Sequence, residues 1–283
     1  GEAAGKMVTV MDVLKGAAEF LERKQVECPR LNAEHLLAHV LGKKRLDLYL
    51  EFDRPLEESE RAPMRELTRA RGEGRPLQHL LGTADFMGHE FLCDARALIP
   101  RPETEQLVEF VLARLPNQEL RVLDVGTGSG IIAITIALER PGYEMTGVDV
   151  SHEALELATA NAAKLSATVH WISSDLVPAG GPSFHAIIAN LPYIPSAEIP
   201  GLSREVQKDP LAALDGGEDG TTIIRRLISS APSALHAGGL LALEVGTGQH
   251  EALVSCLEHH NFRDIEALPD YQGHIRFLFA KHG

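Results

Sequence analysis

Asp124-Val125-Gly126-Thr127-Gly128-Ser129-Gly130 follows the short run Arg121 to Val125 and leads into the apolar segment Ser129 to Glu139, which reads as a strand, a glycine turn and a helix in succession. Such a turn needs glycine because a Cβ would collide with backbone or ligand, and the helix that follows offers unpaired N–H groups at its start. The spacing is GxGxG with Ile131 in the sixth place, whereas a pyrophosphate-binding turn reads GxGxxG, so a diphosphate ligand is disfavoured. Asp124 at the strand end agrees, since a carboxylate suits a ligand ammonium better than a phosphate.

Working outward, Asp149 closes the next strand, where an acid accepts two ribose hydroxyls, and Asp175 follows the third strand, placed to accept from an adenine amino group with Leu176 against the ring. Gly126, Thr127, Gly128, Ser129 and Gly130 supply the turn. A carboxylate at a strand end is common as a cap, but acids at successive strand ends describe a ligand with adenosine and an amino-acid ammonium and no phosphate. S-adenosylmethionine is that ligand.

The pattern around the loop predicts alternating elements: helix Glu103 to Leu115, strand Arg121 to Val125, helix Ser129 to Glu139, strand Glu144 to Val150, helix His152 to Lys164, and strands Thr168 to Ser173 and Phe184 to Ala189. Helix Thr221 to Leu235, strand Gly239 to Val245 and helix Gln249 to His260 follow. Strands Phe262 to Leu268 and His274 to Ala280 are joined by a connection too short for a crossover, so they form an antiparallel pair at one end of a mainly parallel sheet. Upstream, Thr9 to Lys24, Asn32 to Leu41 and Glu57 to Arg71 are helical, the first opening with a Thr9/Asp12 capping box and the second ending at Gly42. Asp85 to Cys93 reads as a β-hairpin turning at Met87 and Gly88. The expected division is residues 1–75 as a helical bundle, 76–100 as a linker with the hairpin, and 101–283 as the α/β domain. Gly1 to Lys6 ahead of Met7 reads as an added leader and is given no function.

Asn190-Leu191-Pro192-Tyr193 sits at the end of the predicted strand Phe184 to Ala189 and is the candidate acceptor site. The Asn190 oxygen accepts one N–H of a planar NH2 group and the carbonyl of Leu191 or Pro192 the other, so positive charge developing on that nitrogen is stabilised. Pro192 stiffens the turn, and Tyr193 is expected to lay its ring on the acceptor. The bland alternative, a plain strand terminus, is weakened by the glycine loop upstream.

The net charge of −13 disfavours a broad grip on phosphate backbones, and an apolar fraction of 44% fits an ordinary globular chain. Cys28, Cys93 and Cys256 are far apart and odd in number, which supports neither a disulfide framework nor a zinc cluster. His35 and His39 share a helix face without a third ligand and read as packing or surface residues. With no bilayer-length apolar run and no signal-like start, a cytoplasmic location and no membrane partner are expected.

From Arg101 to His282 the chain resembles class I S-adenosylmethionine-dependent methyltransferases, which implies a Rossmann-like sheet of seven strands with the last inserted antiparallel. Asn-x-Pro-Tyr resembles the Asn/Asp-Pro-Pro-Tyr/Phe motif of enzymes that methylate adenine or a glutamine carboxamide, with Leu191 in place of the first proline. Arg75-Pro76-Leu77, Leu80-Leu81-Gly82, Ile99-Pro100-Arg101-Pro102-Glu103-Thr104-Glu105, Asp209-Pro210, Asp215-Gly216-Gly217 and Leu243-Glu244-Val245-Gly246 are similar to the HemK/PrmC family of release-factor glutamine methyltransferases. That resemblance implies methyl transfer to the glutamine amide (N5) in the Gly-Gly-Gln loop of peptide chain release factors; from the acidic charge and the Cys and His spacing, no direct nucleic-acid partner and no metal are expected. It also implies that Arg101 and Glu103 shape the acceptor cleft; their local reading is a helix-start pair. The helical front is either a stabilising appendage or a substrate-docking module. The rival functions are an RNA or DNA adenine N-methyltransferase and a catalytically silent S-adenosylmethionine-binding scaffold.

Overall fold

The structure, a computed structural model, describes residues 7–283; Gly1 to Lys6, read above as an added leader, lie outside the described residues. The chain divides into two compact units, the first running to Gly82 and including Ser203–Lys208, the second comprising Thr83–Leu202 and Asp209–Gly283.

In the first unit, α1 (Val10–Arg23) begins with the expected capping box, Thr9 and Asp12 satisfying each other's backbone N–H groups. The helix α2 (Pro29–Leu41) starts three residues earlier than Asn32, because Pro29 takes the first helical position, where its missing N–H is no loss. Then come α3 (Glu58–Gly72) and a short α4 (Leu77–Leu81), the latter beyond the boundary expected at residue 75. Leu14, Leu21, Leu36, Leu37 and Met64 form the unit's apolar centre. Ser203–Lys208 joins this unit through polar contacts: Arg71 pairs with Glu205 at 3.1 Å, and Arg204 donates to the carbonyls of Gly72 and Lys24. Nothing in the local pattern of that segment announces its association.

The second unit opens with the hairpin β1 (Thr83–Phe86) and β2 (His89–Leu92), turned by Met87 and Gly88 at φ of 47° and 80°. Positive φ at both central residues is the turn whose twist matches paired strands. Then follow α5 (Pro102–Arg114), β3 (Arg121–Val125), α6 (Ile131–Glu139), β4 (Glu144–Asp149), α7 (His152–Leu165), β5 (His170–Ser173), β6 (Phe184–Asn190), α8 (Thr222–Ser230), β7 (Leu235–Glu244), α9 (His250–His259), β8 (Phe262–Pro269) and β9 (Ile275–His282). The sheet has seven strands in the order β5-β4-β3-β6-β7-β9-β8, parallel except for β9, which runs antiparallel to both neighbours. A helix to Leu235 was expected, but α8 stops at Ser230 and a 3-10 turn containing Pro232 carries the chain into β7.

The pleat sorts side chains by parity. Val122, Ile188, Ala242 and Phe277 face α5 and α6, while Leu123, Ile187, Leu241 and Leu278 face α8 and α9. Strand order reverses between β4 and β6 on either side of β3, so their C-terminal ends open a crevice there. Parallel pairing of Val125 with Ala189 and of Asn190 with Glu244 holds the ends of β3, β6 and β7 level.

Gly130 caps α6 at φ of 87°, and a Cβ there would lie 2.9 Å from both Ile134 Cδ1 and Trp171 Cη2. Gly130→Ala is therefore expected to lower stability by about 1–3 kcal/mol. The denaturation midpoint in urea measures this, and an unchanged midpoint contradicts it.

Candidate active site

A cleft at the C-terminal edge of the sheet is lined by the glycine loop Gly126–Ser129, by Asp149 and Val150, by Asp175 and Leu176, and by Asn190, Leu191 and Pro192. Pro100 and Arg101 from the segment before α5, and Pro210 and Ala213 from the loop before α8, close its other side. Segments remote in sequence thus meet where the topology reverses.

The loop is held open from below. Gly126 and Thr127 donate to the Val148 carbonyl, and Gly128 N–H donates to Asp149 Oδ2 at 2.9 Å. A Cβ on Gly126 would lie 2.9 Å from Leu191 Cδ2, so the loop and the tetrapeptide touch at a place where only glycine fits. Leu191, the departure from the proline form, is buried in this contact. Beside Gly128 the nearest neighbour of a Cβ would be Ala97 at 3.9 Å, which leaves room along the loop for a ligand. Asn161, fully buried on α7, donates to the Ser129 carbonyl and exchanges two hydrogen bonds with Leu92 on β2, tying the hairpin to the loop. A buried asparagine inside an otherwise ordinary helix gives no local signal of that task.

Asp124 is placed differently from the expectation. It does not line the cleft; it is completely buried on the α6 face of the sheet, where its Oδ2 accepts from the Thr127 hydroxyl at 2.7 Å. Its parity with Val122 turns it beneath the loop, where it holds the Thr127 hydroxyl. Burial pushes its carboxyl up to about 7, opposed by the bond from Thr127 and the amide of Ala133 and assisted by the charge of Asp149. Its Oδ1 has no hydrogen-bond partner.

Asp149 and Asp175 do line the cleft. Asp149 caps the chain entering α7 through Oδ1, which accepts from Ser151 N–H at 2.9 Å, and both oxygens retain a lone pair. Asp175 is on the exposed rim and its Oδ2 is paired with Arg226 at 2.7 Å. Leu176 presents an apolar wall at φ of 66°. Val150 is 58% exposed within this cleft, a large apolar side chain in a position that a flat ligand would cover. Its only signal is its place directly after Asp149.

At the end of β6, Asn190 Nδ2 donates to Thr104 Oγ1 at 3.3 Å, and that hydroxyl donates to Glu244 Oε1 at 2.9 Å. Arg101 lines the cleft and pairs with the buried Asp209 at 2.8 Å, while Ile99 N–H donates to the other carboxylate oxygen. Glu103, its expected companion, does not line the cleft. Tyr193 is likewise absent from the lining: its ring lies against the Arg276 guanidinium, 5.1 Å from the ring centre, and its hydroxyl accepts from Arg276 at 2.7 Å. Its carbonyl accepts from Gln249 Nε2 at 2.8 Å, and Gly246 N–H donates to Gln249 Oε1. These contacts clamp the turn after Pro192. Among the described residues no cluster of His, Cys, Asp or Glu could hold a metal, and no helix is long and apolar enough to cross a membrane.

Because Asp124 keeps its proton to higher pH folded than unfolded, its contribution to stability is complete below its unfolded value of 3.8 and is lost as pH rises towards about 7. Glu244 behaves alike but is common to parent and variant. Asp124→Asn is thus expected to gain melting temperature relative to the parent across that window. A difference independent of pH contradicts the assignment.

Residues 12–82 match the family described as PrmC N-terminal domain and residues 103–201 the family described as Methyltransferase small domain. The release factor glutamine methyltransferase of Geobacter sulfurreducens is 39% identical over 277 residues, covering 97% of each chain. That of Chlorobaculum tepidum is 40% identical over 281 residues, covering 94% of this chain and 95% of its own. Among solved structures, a methyltransferase from Pyrococcus furiosus superposes with a TM-score of 0.54 at 17% identity, over 70% of this chain and 91% of that one, a likeness of fold alone. Identity of this degree over nearly the full length places the chain in the release factor glutamine methyltransferase family, a family of S-adenosylmethionine-dependent methyltransferases.

Proposed function

We propose that the protein methylates the side-chain amide nitrogen of the glutamine in the Gly-Gly-Gln motif of peptide chain release factors, drawing the methyl group from S-adenosylmethionine. The observation that carries this reading is the state of Asn190. Its Nδ2 is engaged by Thr104, which leaves Oδ1 as the acceptor available in the cleft, on the same sheet edge as the glycine loop.

When bound, S-adenosylmethionine supplies an electrophilic methyl carbon on its sulfonium. Asp149 would hold the ribose hydroxyls with the lone pairs left on its carboxylate, and Val150 and Leu176 would enclose the adenine. Asp175, on the rim, would take the adenine amino group only by sharing its carboxylate with Arg226. The open face of the glycine loop Gly126–Ser129 would receive the amino-acid end, with Asp124 acting through Thr127.

A carboxamide nitrogen is a weak nucleophile because its lone pair is delocalised, so orientation matters more than basicity. Asn190 Oδ1 accepts one amide N–H and the carbonyl of Leu191 or Pro192 the other, holding the group edge-on and stabilising the positive charge that grows on nitrogen. Arg101, fixed by Asp209, bounds the acceptor side, and Tyr193 acts through the turn that Arg276 and Gln249 clamp. The alkylated nitrogen is acidic enough to release its proton to water, so no general base is assigned. The helical unit, with Leu46, Tyr49 and Leu50 exposed on one 3-10 turn, is read as the docking module for the release factor.

Purified release factor should accept labelled methyl from S-adenosylmethionine at its Gly-Gly-Gln glutamine, and total RNA should not; label on RNA alone defeats the assignment. Asn190→Ala should lower turnover by at least ~10²-fold while leaving cofactor affinity nearly intact, as for a group acting chiefly in the transition state. Equal losses in cofactor binding contradict that role. Asp149→Ala should weaken S-adenosylmethionine by ~1–3 kcal/mol, read by calorimetry, because ribose hydroxyls lose their partner. An unchanged dissociation constant contradicts the ribose assignment.

A further inference from the structure

Glu244, at the end of β7, is 1% exposed, and its Oε2 has no hydrogen-bond partner. A buried carboxylate with an orphaned oxygen is destabilising, so its retention calls for a task other than holding the fold together. Its register partner across the parallel ladder is Asn190, and both side chains fall on the face of the sheet that meets α5. Between them stands Thr104, fully buried in the first turn of α5.

A threonine hydroxyl has one proton to give. Here that proton goes to Glu244 Oε1 at 2.9 Å, which leaves only lone pairs on Thr104 Oγ1 for Asn190. The Asn190 amide can meet those lone pairs solely through its NH2 end, as it does at 3.3 Å. The flipped amide would set oxygen against oxygen.

We propose that Thr104 and Glu244 are positioning residues that fix the Asn190 amide with its oxygen toward the acceptor, so that a residue outside the cleft determines which end of Asn190 the substrate meets. The inference rests on the reading of Asn190 as the acceptor-binding group. The groups that face Glu244 are Arg276 from β9 at 3.8 Å, Arg101 and Glu103 at the start of α5, and Tyr193 beyond β6. Arg276 is occupied chiefly by the Val245 carbonyl at 2.6 Å and the Tyr193 hydroxyl at 2.7 Å, so it balances the charge without replacing Thr104 as the partner of Oε1. Burial raises the Glu244 carboxyl to about 7, against the bond from Thr104 and the charge of Arg276. Protonation at Oε1 would make that oxygen a donor to Thr104 Oγ1, free the Thr104 proton for Asn190 and allow the amide to turn.

The test is steady-state methylation of purified release factor by the full-length protein. Thr104→Val should lower kcat by at least ~10-fold with KM for release factor and the S-adenosylmethionine dissociation constant within ~2-fold, and Thr104→Ser should recover most of the loss. In an Asn190→Ala background Thr104→Val should cost no more than ~2-fold further, because both act on one contact. The kcat of the parent should rise between pH 6 and 8, and that rise should vanish in the isosteric Glu244→Gln, which keeps an oxygen for Thr104. Should Thr104→Val fail to fold, the Glu244→Gln pH profile decides. Parent-like kcat in Thr104→Val, full additivity with Asn190→Ala, or a parent-like pH rise in Glu244→Gln overturns the relay. If Asn190→Ala itself turns over normally, the acceptor reading has failed; if Asn190→Ala is slow while the Thr104 and Glu244 variants behave as the parent, only the relay has.

Discussion

Parallel pairing of β6 between β3 and β7 is the constraint on which the rest depends. Because Val125 is level with Ala189 and Asn190 with Glu244, the glycine loop, the tetrapeptide that starts at Asn190 and the buried acid all emerge at one edge. A slip of one residue in β6 would turn Asn190 onto the α8 and α9 face and bring Ala189 to the cleft, since side-chain direction alternates with period two. Register is secured by the apolar residues of β6, which would exchange faces in the same slip. The geometry of a few polar atoms is therefore maintained by the burial of many apolar ones.

Polar groups placed inside this frame carry the site's design. Asp124, Asn161, Thr104 and Glu244 are all fully or nearly fully buried; the first three bond directly to a residue that lines the cleft, and Glu244 reaches Asn190 through Thr104. Two of them leave an oxygen without a hydrogen bond, at Asp124 Oδ1 and Glu244 Oε2. Such orphaned groups concentrate where function outweighs stability. Leu191 contributes in another way, its side chain seated on Gly126, so that the tetrapeptide and the glycine loop are in direct contact.

Much of this is legible in the residues alone. The α/β alternation, the capping box at Thr9, the Met87-Gly88 turn and the antiparallel closing pair all follow from periodicity, caps and connection length, which are local. The cleft's glycine loop, Asp149, Leu176 and Asn190 to Pro192 were found for the same reason: strand ends and turns announce themselves in sequence. What could not be read depends on parity and long-range approach. Asp124 was expected at the ligand, yet the pleat turns it under the loop; Tyr193 was expected on the acceptor, yet Arg276, remote in the chain, takes its ring and hydroxyl. Val150, Asn161 and the Asn190–Thr104–Glu244 chain have no local signature, since each has meaning only through the element packed against it.

The central claim, that Asn190 holds a carboxamide edge-on with its own oxygen, is tested most directly by a ternary crystal structure with S-adenosylhomocysteine and a release-factor fragment carrying the Gly-Gly-Gln loop. The account predicts the glutamine amide nitrogen within hydrogen-bond distance of Asn190 Oδ1 and of the Leu191 or Pro192 carbonyl, and its lone pair aimed at the cofactor sulfur. An amide nitrogen held elsewhere in the cleft, with Asn190 turned away from it, would contradict the account.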